Sequence, residues 1–339
     1  MRILYIGVNR GTSIHRYNAL RRLGHDVFMV DPFSFIPSNR WVGKWVYETG
    51  SFGISGWIKR KVLAAIQDMH FDFCLVDGGN VIEQSLVKSL KKQSKYVVNF
   101  NHDDPFSPIE WRKWIFYRKS IPEYDLLVVV RVENIDEVKS KGAKNILHVF
   151  RTADEVAHRP IQLTTDERKK WGSDVCFIGT WMPERGPFMA RLIERGIPLS
   201  IWGDRWHKAK EWPLIKTAWR GDGIYSKDYV KPLIASKICL GLLSKGNRDL
   251  HTTRSVEIPA VGGLLCAERT SEHLRMYKEG IEAVFWKDAD ECADICRELL
   301  NNPERRKEIA KYGHERCMKN NYFSEPTLRK IIDTALELK

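Results

Sequence analysis

Polar and charged side chains crowd residues 245–257, directly after a short apolar run. That run, Ile238–Leu243, lacks alternation, which indicates a strand buried on both faces of a parallel sheet. Thr252 and Thr253 are good N-cap residues, so we expect a helix to begin near Arg254. The first N–H groups of a helix lack internal partners and carry partial positive charge. The spacing therefore predicts a phosphate-binding site, to which the arginine and the threonine hydroxyls add donors.

Two carboxylates accompany this helix start. Glu257 lies one turn inside the predicted helix, and Asp249 precedes it with seven residues between them. A glutamate in a first turn can serve only to balance the helix dipole, and threonines there can serve only as caps. The residue types alone leave two interpretations open, an ordinary capped helix or a ligand site. Pro259 is expected to end or kink the helix.

The stretch resembles the C-terminal signature of GT-B glycosyltransferases, most closely the CgeB-like (spore-maturation-type) family. Many retaining GT-B enzymes carry two glutamates with seven residues between them, and Asp249 stands in place of the first. The resemblance implies that Glu257 holds the ribose of a nucleotide sugar and that Asp249 contacts the sugar hydroxyls. It is strongest over residues 173–320. The matching residues are Asn247, Asp249, Thr253, Arg254, Glu257, Pro259, Gly262, Gly263, Glu268, Arg269, Thr270, Glu279, Gly280, Glu282, Ala283 and Phe285.

A chain of 339 residues is expected to form two domains. The resemblance implies an α/β fold of the GT-B type, with two Rossmann-like domains whose parallel sheets face each other across a cleft. It places an acceptor-side domain at residues 1–155 and a nucleotide-sugar-binding domain at residues 156–320. A C-terminal helix at residues 321–339 is expected to cross back to the first domain.

The opening of the chain, residues 3–30, has the strand, glycine loop, helix and strand of a Rossmann-like unit. Asp31 lies where a ribose-binding acid of an NAD site could lie. The loop glycines, however, are spaced G-x-x-x-G rather than G-x-G-x-x-G, which argues against a dinucleotide. The resemblance implies that this loop, with Asn9 and Gly11, faces the acceptor. His15 near the helix start is a candidate base or an ordinary surface residue.

A second group of residues suited to chemistry follows the apolar segment Tyr96–Phe100. His102, Asp103 and Asp104 stand where a parallel strand ends, and side chains there line the crevice of such sheets. A histidine beside two carboxylates suits proton transfer, so all three are candidate catalytic residues. The resemblance implies a His-Asp pair that reaches the donor sugar from the opposite wall of the cleft. Alternatively, Asp104 and the following proline only begin a turn.

The second domain is expected to begin with the apolar strand Val175–Ile178 and a glycine loop that includes Gly179 and Thr180. The resemblance implies that this loop lies at the donor and that Arg185 contacts its diphosphate. Arginines and a helix terminus can stabilise a leaving diphosphate without a metal, so we expect no cofactor. Residues 288–291 contain Asp-x-Asp, but they fit a helix capping box better than a metal site.

Basic and aromatic residues are interleaved in residues 35–61 and 110–119. The net charge is +12, which favours anionic partners. The pattern predicts contact with an anionic membrane surface or a lipid-linked acceptor. Alternatively, these aromatic residues pack in an ordinary core. We find no nucleic-acid-binding motif in the sequence and expect no nucleic-acid partner.

Seven scattered cysteines indicate a reducing cytoplasm. Cys292 and Cys296 are four apart in a predicted helix, but no CxxC pair or histidine cluster accompanies them in the sequence, so we expect no metal site. We recognise neither a signal peptide nor an apolar run of ~20 residues. The protein is therefore expected in the cytoplasm, peripheral on the inner face of the membrane if the basic-aromatic segments bind it.

The resemblance implies transfer of a sugar from a nucleotide-diphosphate sugar, in the first place a UDP-sugar, to a glycan, lipid-linked or cell-envelope acceptor. Retention or inversion of the anomeric configuration is left open. Inversion would need a base, for which Asp103, Asp104 and His15 are the candidates. The alternatives are a nucleotide-sugar epimerase of the same fold and a non-catalytic carbohydrate-binding protein of envelope assembly, because fold alone does not establish function.

Overall fold

The computed structural model describes residues 1–338, which form two compact units. Unit 1 consists of Met1–Phe150, Gly246–Arg248 and the chain from Ser324 onward, and unit 2 consists of Arg151–Lys245 and Asp249–Phe323. The predicted fold class, an α/β chain with two parallel sheets, is confirmed. Compactness does not by itself establish independent folding, so the domain boundaries stay predictions.

Six strands form the sheet of unit 1. Their bounds are β1 (Arg2–Ile6), β2 (Asp26–Val30), β3 (Phe71–Asp77), β4 (Ser94–Asn101), β5 (Leu126–Val129) and β6 (Ile146–His148). They pair in parallel in the order β2-β1-β3-β4-β5-β6. Ile3 and Tyr5 belong to one buried cluster, and Leu4 and Ile6 belong to another. Both faces of β1 are therefore packed, which explains why its sequence is apolar without alternation.

Unit 2 contains the second six-stranded sheet. Its strands are β7 (Val175–Ile178), β8 (Leu199–Trp202), β9 (Trp219–Gly221), β10 (Ile238–Gly241), β11 (Leu265–Glu268) and β12 (Val284–Trp286). They pair in parallel in the order β12-β11-β10-β7-β8-β9. The order reverses between β7 and β10, and in unit 1 it reverses between β1 and β3. Ligand crevices of open α/β sheets lie at such reversals, outside the carboxyl ends of the strands.

Fifteen α-helices connect or follow these strands within residues 1–338. They are α1 (Gly11–Arg22), α2 (Arg40–Thr49), α3 (Ser55–Ala65), α4 (Gln84–Leu90), α5 (Ile115–Ser120), α6 (Glu133–Ser140), α7 (Thr165–Trp171), α8 (Arg185–Glu194), α9 (Trp212–Ile215), α10 (Val230–Ala235), α11 (Arg254–Ala260), α12 (Ser271–Met276), α13 (Ala289–Asn301), α14 (Pro303–Lys319) and α15 (Ser324–Leu336). No helix in the described residues combines the length and the apolar character that crossing a bilayer requires.

The last helix, α15, packs in unit 1 against α1, as the predicted fold requires. Its buried face, including Leu328, Ile331 and Ile332, joins the core cluster beneath β1. An ion pair of 2.5 Å between Arg22 and Glu325 links the two helices at their surface. Because the apolar face of α15 is buried with α1, the end of the chain helps to hold the helix that follows the first glycine loop.

Candidate functional site

The strand-order reversal of unit 1 holds a buried carboxylate, Asp77, the last residue of β3. Nη2 of Arg16 lies 3.0 Å from Oδ1 and 2.8 Å from Oδ2, and the Tyr5 hydroxyl donates to Oδ2 at 2.5 Å. The side chains of Asp77 and Arg16 are only 3% and 8% exposed. A buried ion pair of this kind is tolerated when further hydrogen bonds satisfy both charges. Apolar periodicity did not predict that Ser13 and Arg16 of α1 would be buried here.

His102 shares this carboxylate, because its Nε2 lies 3.2 Å from Oδ1 of Asp77. Burial raises the pKa of Asp77, but the charge of Arg16 and the hydrogen bond of His102 outweigh it and hold the pKa well below its usual range. An ionised carboxylate beside an imidazole orients the ring and stabilises its protonated form, as general-base catalysis requires. The resemblance implies a His-Asp pair of His102 with Asp103. The structure shows Asp77 as a partner, which the rule that polar residues follow parallel strands could have found.

Asp103 and Asp104 have different surroundings. The backbone N–H of Asp103 donates to Oδ1 of Asn101, and its side chain is partly exposed. The side chain of Asp104 is fully buried, and Arg248 contacts both of its oxygens at 2.5 and 2.8 Å. Burial raises the pKa of Asp104, but hydrogen bonds from Arg248 and Asn134 outweigh it and lower the pKa. This arrangement favours a structural role for Asp104, holding residues 246–248 in unit 1, over the predicted proton transfer.

The predicted acceptor-side residues lie together where the first loop enters α1. Asn9 and Gly11 are exposed, and His15 is half-buried in the first turns of the helix. The backbone N–H of Asn9 donates to Asp31 at 3.0 Å, and Asp31 also accepts from the N–H of Phe33. Asp31 therefore organises two turns. The roles of the three loop residues stay predictions.

In unit 2, Arg185 begins α8 and is almost entirely buried. Its Nη1 donates to the carbonyl of Thr180 at 2.8 Å, and its Nη2 donates to the carbonyl of Leu243 at 3.2 Å. A Cβ on Gly179 would lie 2.7 Å from the ring of Phe177, so glycine lets the chain pass closely at the end of β7. The structure thus brings Gly179, Thr180 and Arg185 together, as the sequence predicts.

Arg254 reaches the same strand end from α11. Its Nε donates to the carbonyl of Ile178 at 3.3 Å, so two guanidinium groups bond to the chain between Ile178 and Thr180. Burial and the charge of Arg254 together lower the pKa of Arg185 to about 10. Within residues 1–338, no acceptor pairs with Nε of Arg185. Two neighbouring cations with an unsatisfied buried donor are the features of an anion site, because a bound anion removes both costs.

The expected helix cap is partly wrong. The helix begins at Arg254, as expected, and ends at Ala260, directly after Pro259. Thr253 makes no side-chain capping bond because its own backbone is already helical, with φ −58° and ψ −34°. Instead, Oγ1 of Thr252 accepts from the N–H of Arg254 at 3.2 Å. A helix of seven residues has a weak dipole, so the anion site depends more on the two arginine side chains than on the helix terminus.

Glu257 lies one turn inside α11 and is only 3% exposed. The hydroxyl of Tyr229 donates to its Oε2, and Nε2 of His158 lies 3.6 Å from its Oε1. Nδ1 of His158 accepts from the N–H of Asp154, so in the neutral ring Nε2 carries the proton and faces the carboxylate. The sequence did not predict Tyr229 or His158 as partners, because both are distant along the chain.

Asp249 has its own set of partners. Nη2 of Arg151 lies 3.1 Å from Oδ1 of Asp249, whose side chain is 6% exposed. The N–H of Arg151 donates to Nε2 of His251, so Nδ1 of this histidine donates to Glu272 at 2.5 Å. The loop on either side of Asp249 is thereby fixed. Contact of Asp249 with the sugar hydroxyls and of Glu257 with the ribose stays a prediction.

The base of α11 is held by a chain of hydrogen bonds. Oγ of Ser255 accepts from the N–H of Thr252 at 3.0 Å and bonds to Nε2 of His273 at 2.7 Å. Nδ1 of His273 bonds to the carbonyl of Glu268 at 2.6 Å. Burial lowers the pKa of His273 to about 4. The neutral ring is therefore part of the folded structure at neutral pH.

This histidine predicts an acid-sensitive fold. Because the pKa of His273 is about 4 in the folded chain and 6.5 ordinarily, the unfolded chain binds the proton first as the pH falls. Stability should fall between pH 6.5 and 4, by about 3 kcal/mol in total from this group. Urea unfolding of the wild type and of His273→Gln across this range measures the effect. The variant should lose less stability than the wild type, and parallel curves would contradict the prediction.

A cavity of about 390 Å³ lies beside Arg185 in unit 2. Phe188, Leu243 and Trp286 give it an apolar lining, and Lys245 is one of its basic residues. Cavities of this size and composition bind small molecules. The cavity lies where β11 and β12 end, so an anion held by Arg185 would sit at its edge.

The chain is similar to known glycosyltransferases in part of its sequence and in its fold. Residues 185–333 match the family described as glycosyl transferase-like. A sucrose-phosphate synthase from Thermosynechococcus elongatus has a TM-score of 0.72 at 12% identity, with 100% of both chains covered. The chain has the GT-B fold. Anabaena HepE in complex with UDP-glucose has a TM-score of 0.67 at 10% identity, covering 98% of this chain and 99% of that chain.

A solved glycosyltransferase structure from a third organism is also similar in fold to this chain. The glycosyltransferase from Rickettsia africae has a TM-score of 0.62 at 14% identity, covering 99% of this chain and 98% of that chain. Comparison with curated proteins gives no match. Identities this low show the fold alone. The closer CgeB-like assignment stays a prediction.

Proposed function

We propose that the chain is a glycosyltransferase that takes its sugar from a nucleotide-diphosphate sugar. The observation that carries the proposal is the pair of guanidinium groups, Arg185 and Arg254, at the end of β7. The site stands at the strand-order reversal of a parallel sheet, where such folds bind ligands. The glycosyl transferase-like match over residues 185–333 includes both arginines, and the similar HepE structures contain UDP or UDP-glucose. UDP-sugars are therefore the first donors to test.

The chemistry follows from the charges. Breaking a sugar–phosphate bond puts negative charge on the leaving diphosphate, which preorganised cations stabilise. Arg185 and Arg254 supply two such cations with fixed, planar donor geometry, so the proposed transfer needs no metal. Glu257 is a ready acceptor for ribose hydroxyls, and Asp249 for sugar hydroxyls. We assign proton handling to His102, oriented by the ionised Asp77.

Thermal stabilisation by nucleotides tests the donor site. The wild type and the variants Glu257→Gln and Arg254→Ala are each screened with UDP, GDP, CDP, ADP and their sugars. A nucleotide at one hundred times its Kd should stabilise the wild type by about 2.7 kcal/mol. The same concentration should stabilise each variant less. The control is Arg191→Ala, which lies on α8 but pairs at the surface with Asp290. No response to any nucleotide would overturn the proposal, and release of an altered sugar nucleotide without acceptor would indicate an epimerase.

For the acceptor, we propose a glycan, lipid-linked or cell-envelope molecule met at a cytoplasmic membrane face. The support comes from the exposed aromatic surface of unit 1, which we define as Trp41, Trp45, Phe52, Trp57 and Trp111. Their exposed fractions range from 42% for Trp57 to 77% for Trp41. The alternative that these side chains pack in the core is thereby wrong for these five. Several large aromatic side chains exposed within short segments of one unit suit contact with a partner surface.

The surroundings of the exposed aromatic surface suit a bilayer. The indole N–H groups of Trp45 and Trp57 already donate to backbone carbonyls, so their rings can enter an apolar layer without losing a hydrogen bond. Arg60 and Lys61 lie 4.8 and 4.7 Å from the ring centroid of Trp57. Cations beside interfacial aromatics attract anionic headgroups.

Vesicle binding tests this surface. Vesicles containing phosphatidylglycerol should bind the chain, and binding should weaken as salt rises because the cations act through screened charge. Trp41→Ser and Trp57→Ser should each weaken binding several-fold. Tyr225→Ser is the control, because Tyr225 is 70% exposed in unit 2. Sedimentation with neutral and anionic vesicles measures the effect. Equal binding to both vesicle types would count against the proposal.

A further inference from the structure

Three cysteines meet in the core of unit 2. Cys266 lies on β11, and Cys292 and Cys296 lie one turn apart on α13. Their three sulfur atoms lie within 4.8 Å of one another, and each residue is fully buried. All seven cysteines of the chain are free thiols. The sequence pattern indicates only Cys292 and Cys296 as neighbours, because Cys266 is distant along the chain and joins them only through folding.

The distances suit one shared ion. Metal–thiolate bonds of about 2.3 Å, as in zinc sites, place three sulfurs around an ion roughly 4 Å apart. The three side chains would need to move by less than about 1 Å to reach that arrangement. Positions four apart on α13 already present two sulfurs on one helix face.

Charge selects the class of ion. The cluster is packed among apolar groups such as Val284 and Leu299, where a net charge is costly. Three thiolates around a divalent ion leave one negative charge, whereas three around a trivalent ion leave none. Thiolates prefer soft ions over those that favour oxygen ligands. A soft trivalent ion therefore satisfies both the ligand type and the surroundings.

We propose that Cys266, Cys292 and Cys296 form a three-sulfur site for a soft, thiophilic ion, with trivalent arsenic as the best-matched probe. Arsenous acid, As(OH)₃, would exchange its three As–O bonds for three As–S bonds. Each thiol proton leaves with a hydroxide as water, so three waters are released and no atom changes oxidation state. The product is neutral. Because the sulfurs are buried, entry needs local opening of unit 2, and binding should be slow.

Native mass spectrometry of the full chain with arsenite tests the site. The wild type should gain one arsenic and lose three protons, and Cys266→Ala, Cys292→Ala and Cys296→Ala should each lose this product. Cys239→Ala and Cys317→Ala are matched controls. Cys239 forms a second close thiol contact, 3.5 Å from Cys176, with two sulfurs instead of three. Both controls should bind arsenic as the wild type does.

X-ray absorption at the arsenic edge provides a test that needs no variant. It should show three sulfur neighbours on the arsenic bound to the folded wild type. Cd²⁺, whose complex would keep a negative charge, should bind at least tenfold more weakly than arsenite. The proposal is overturned if the folded wild type takes up no arsenic or if the bound arsenic has fewer than three sulfur neighbours. Arsenic binding retained by each of the three single variants would also overturn it.

Discussion

Arg185→Ala and Arg254→Ala are each expected to lower kcat for nucleoside diphosphate release on the order of 10²–10³-fold. Each arginine is a preorganised donor at the place where the leaving diphosphate gains charge, and losing one such donor has that effect in enzymes. Lysine should not restore activity, because it lacks the planar fork that bonds two oxygens at once. Release of the diphosphate is measured with the nucleotide sugar that gives the largest thermal shift.

The control for this prediction, Arg191, lies on α8, the helix that Arg185 begins. Arg191 is exposed and pairs with Asp290 and Glu194, so Arg191→Ala should leave kcat unchanged. Arg254→Ala should also let the pKa of Arg185 rise, because the neighbouring charge that lowers it is gone. Wild-type turnover in both Arg185→Ala and Arg254→Ala would show that the anion site at β7 is not the donor site.

Much of the fold could be predicted because its signals are local. The apolar run Ile238–Leu243 predicts a doubly buried strand, and the structure forms β10 there. The run Val175–Ile178 likewise matches the bounds of β7. Helix α11 also begins where expected, although Thr253 is not its cap. The choice between adjacent cap residues depends on backbone angles that composition does not determine.

The parts of the candidate site that the sequence missed depend on distant pairing. His102 was recognised as a reactive residue, but its carboxylate, Asp77, ends the neighbouring strand β3. Only strand order brings them together, and strand order is not a local property. The same reason hid Tyr229 and His158 beside Glu257. Residue types predict which groups can react, whereas their partners follow from the topology of the sheet.

The largest effect on stability is expected from Asp77→Asn. The substitution leaves the guanidinium of Arg16 buried without a counter-charge, and breaking a buried pair on one side costs about 3–5 kcal/mol. Because the pKa of Asp77 lies well below its ordinary value of 3.8, this stabilisation is complete above that pH and is lost progressively as the pH falls below it. Urea unfolding at neutral pH measures the loss.

Two further variants separate the structural from the catalytic part of this cluster. Asp72 lies on the same strand as Asp77, but its ion pair with Lys95 is exposed, so Asp72→Asn should change stability little. His102→Ala keeps the Arg16–Asp77 pair and should remain folded while losing turnover, because the proposed proton-transfer group is gone. If Asp77→Asn proves as stable as Asp72→Asn, the buried pair is not what holds β3 to α1. If His102→Ala retains full turnover, Asp77 and Arg16 serve structure alone, and proton transfer must be sought among Asp103 and His15.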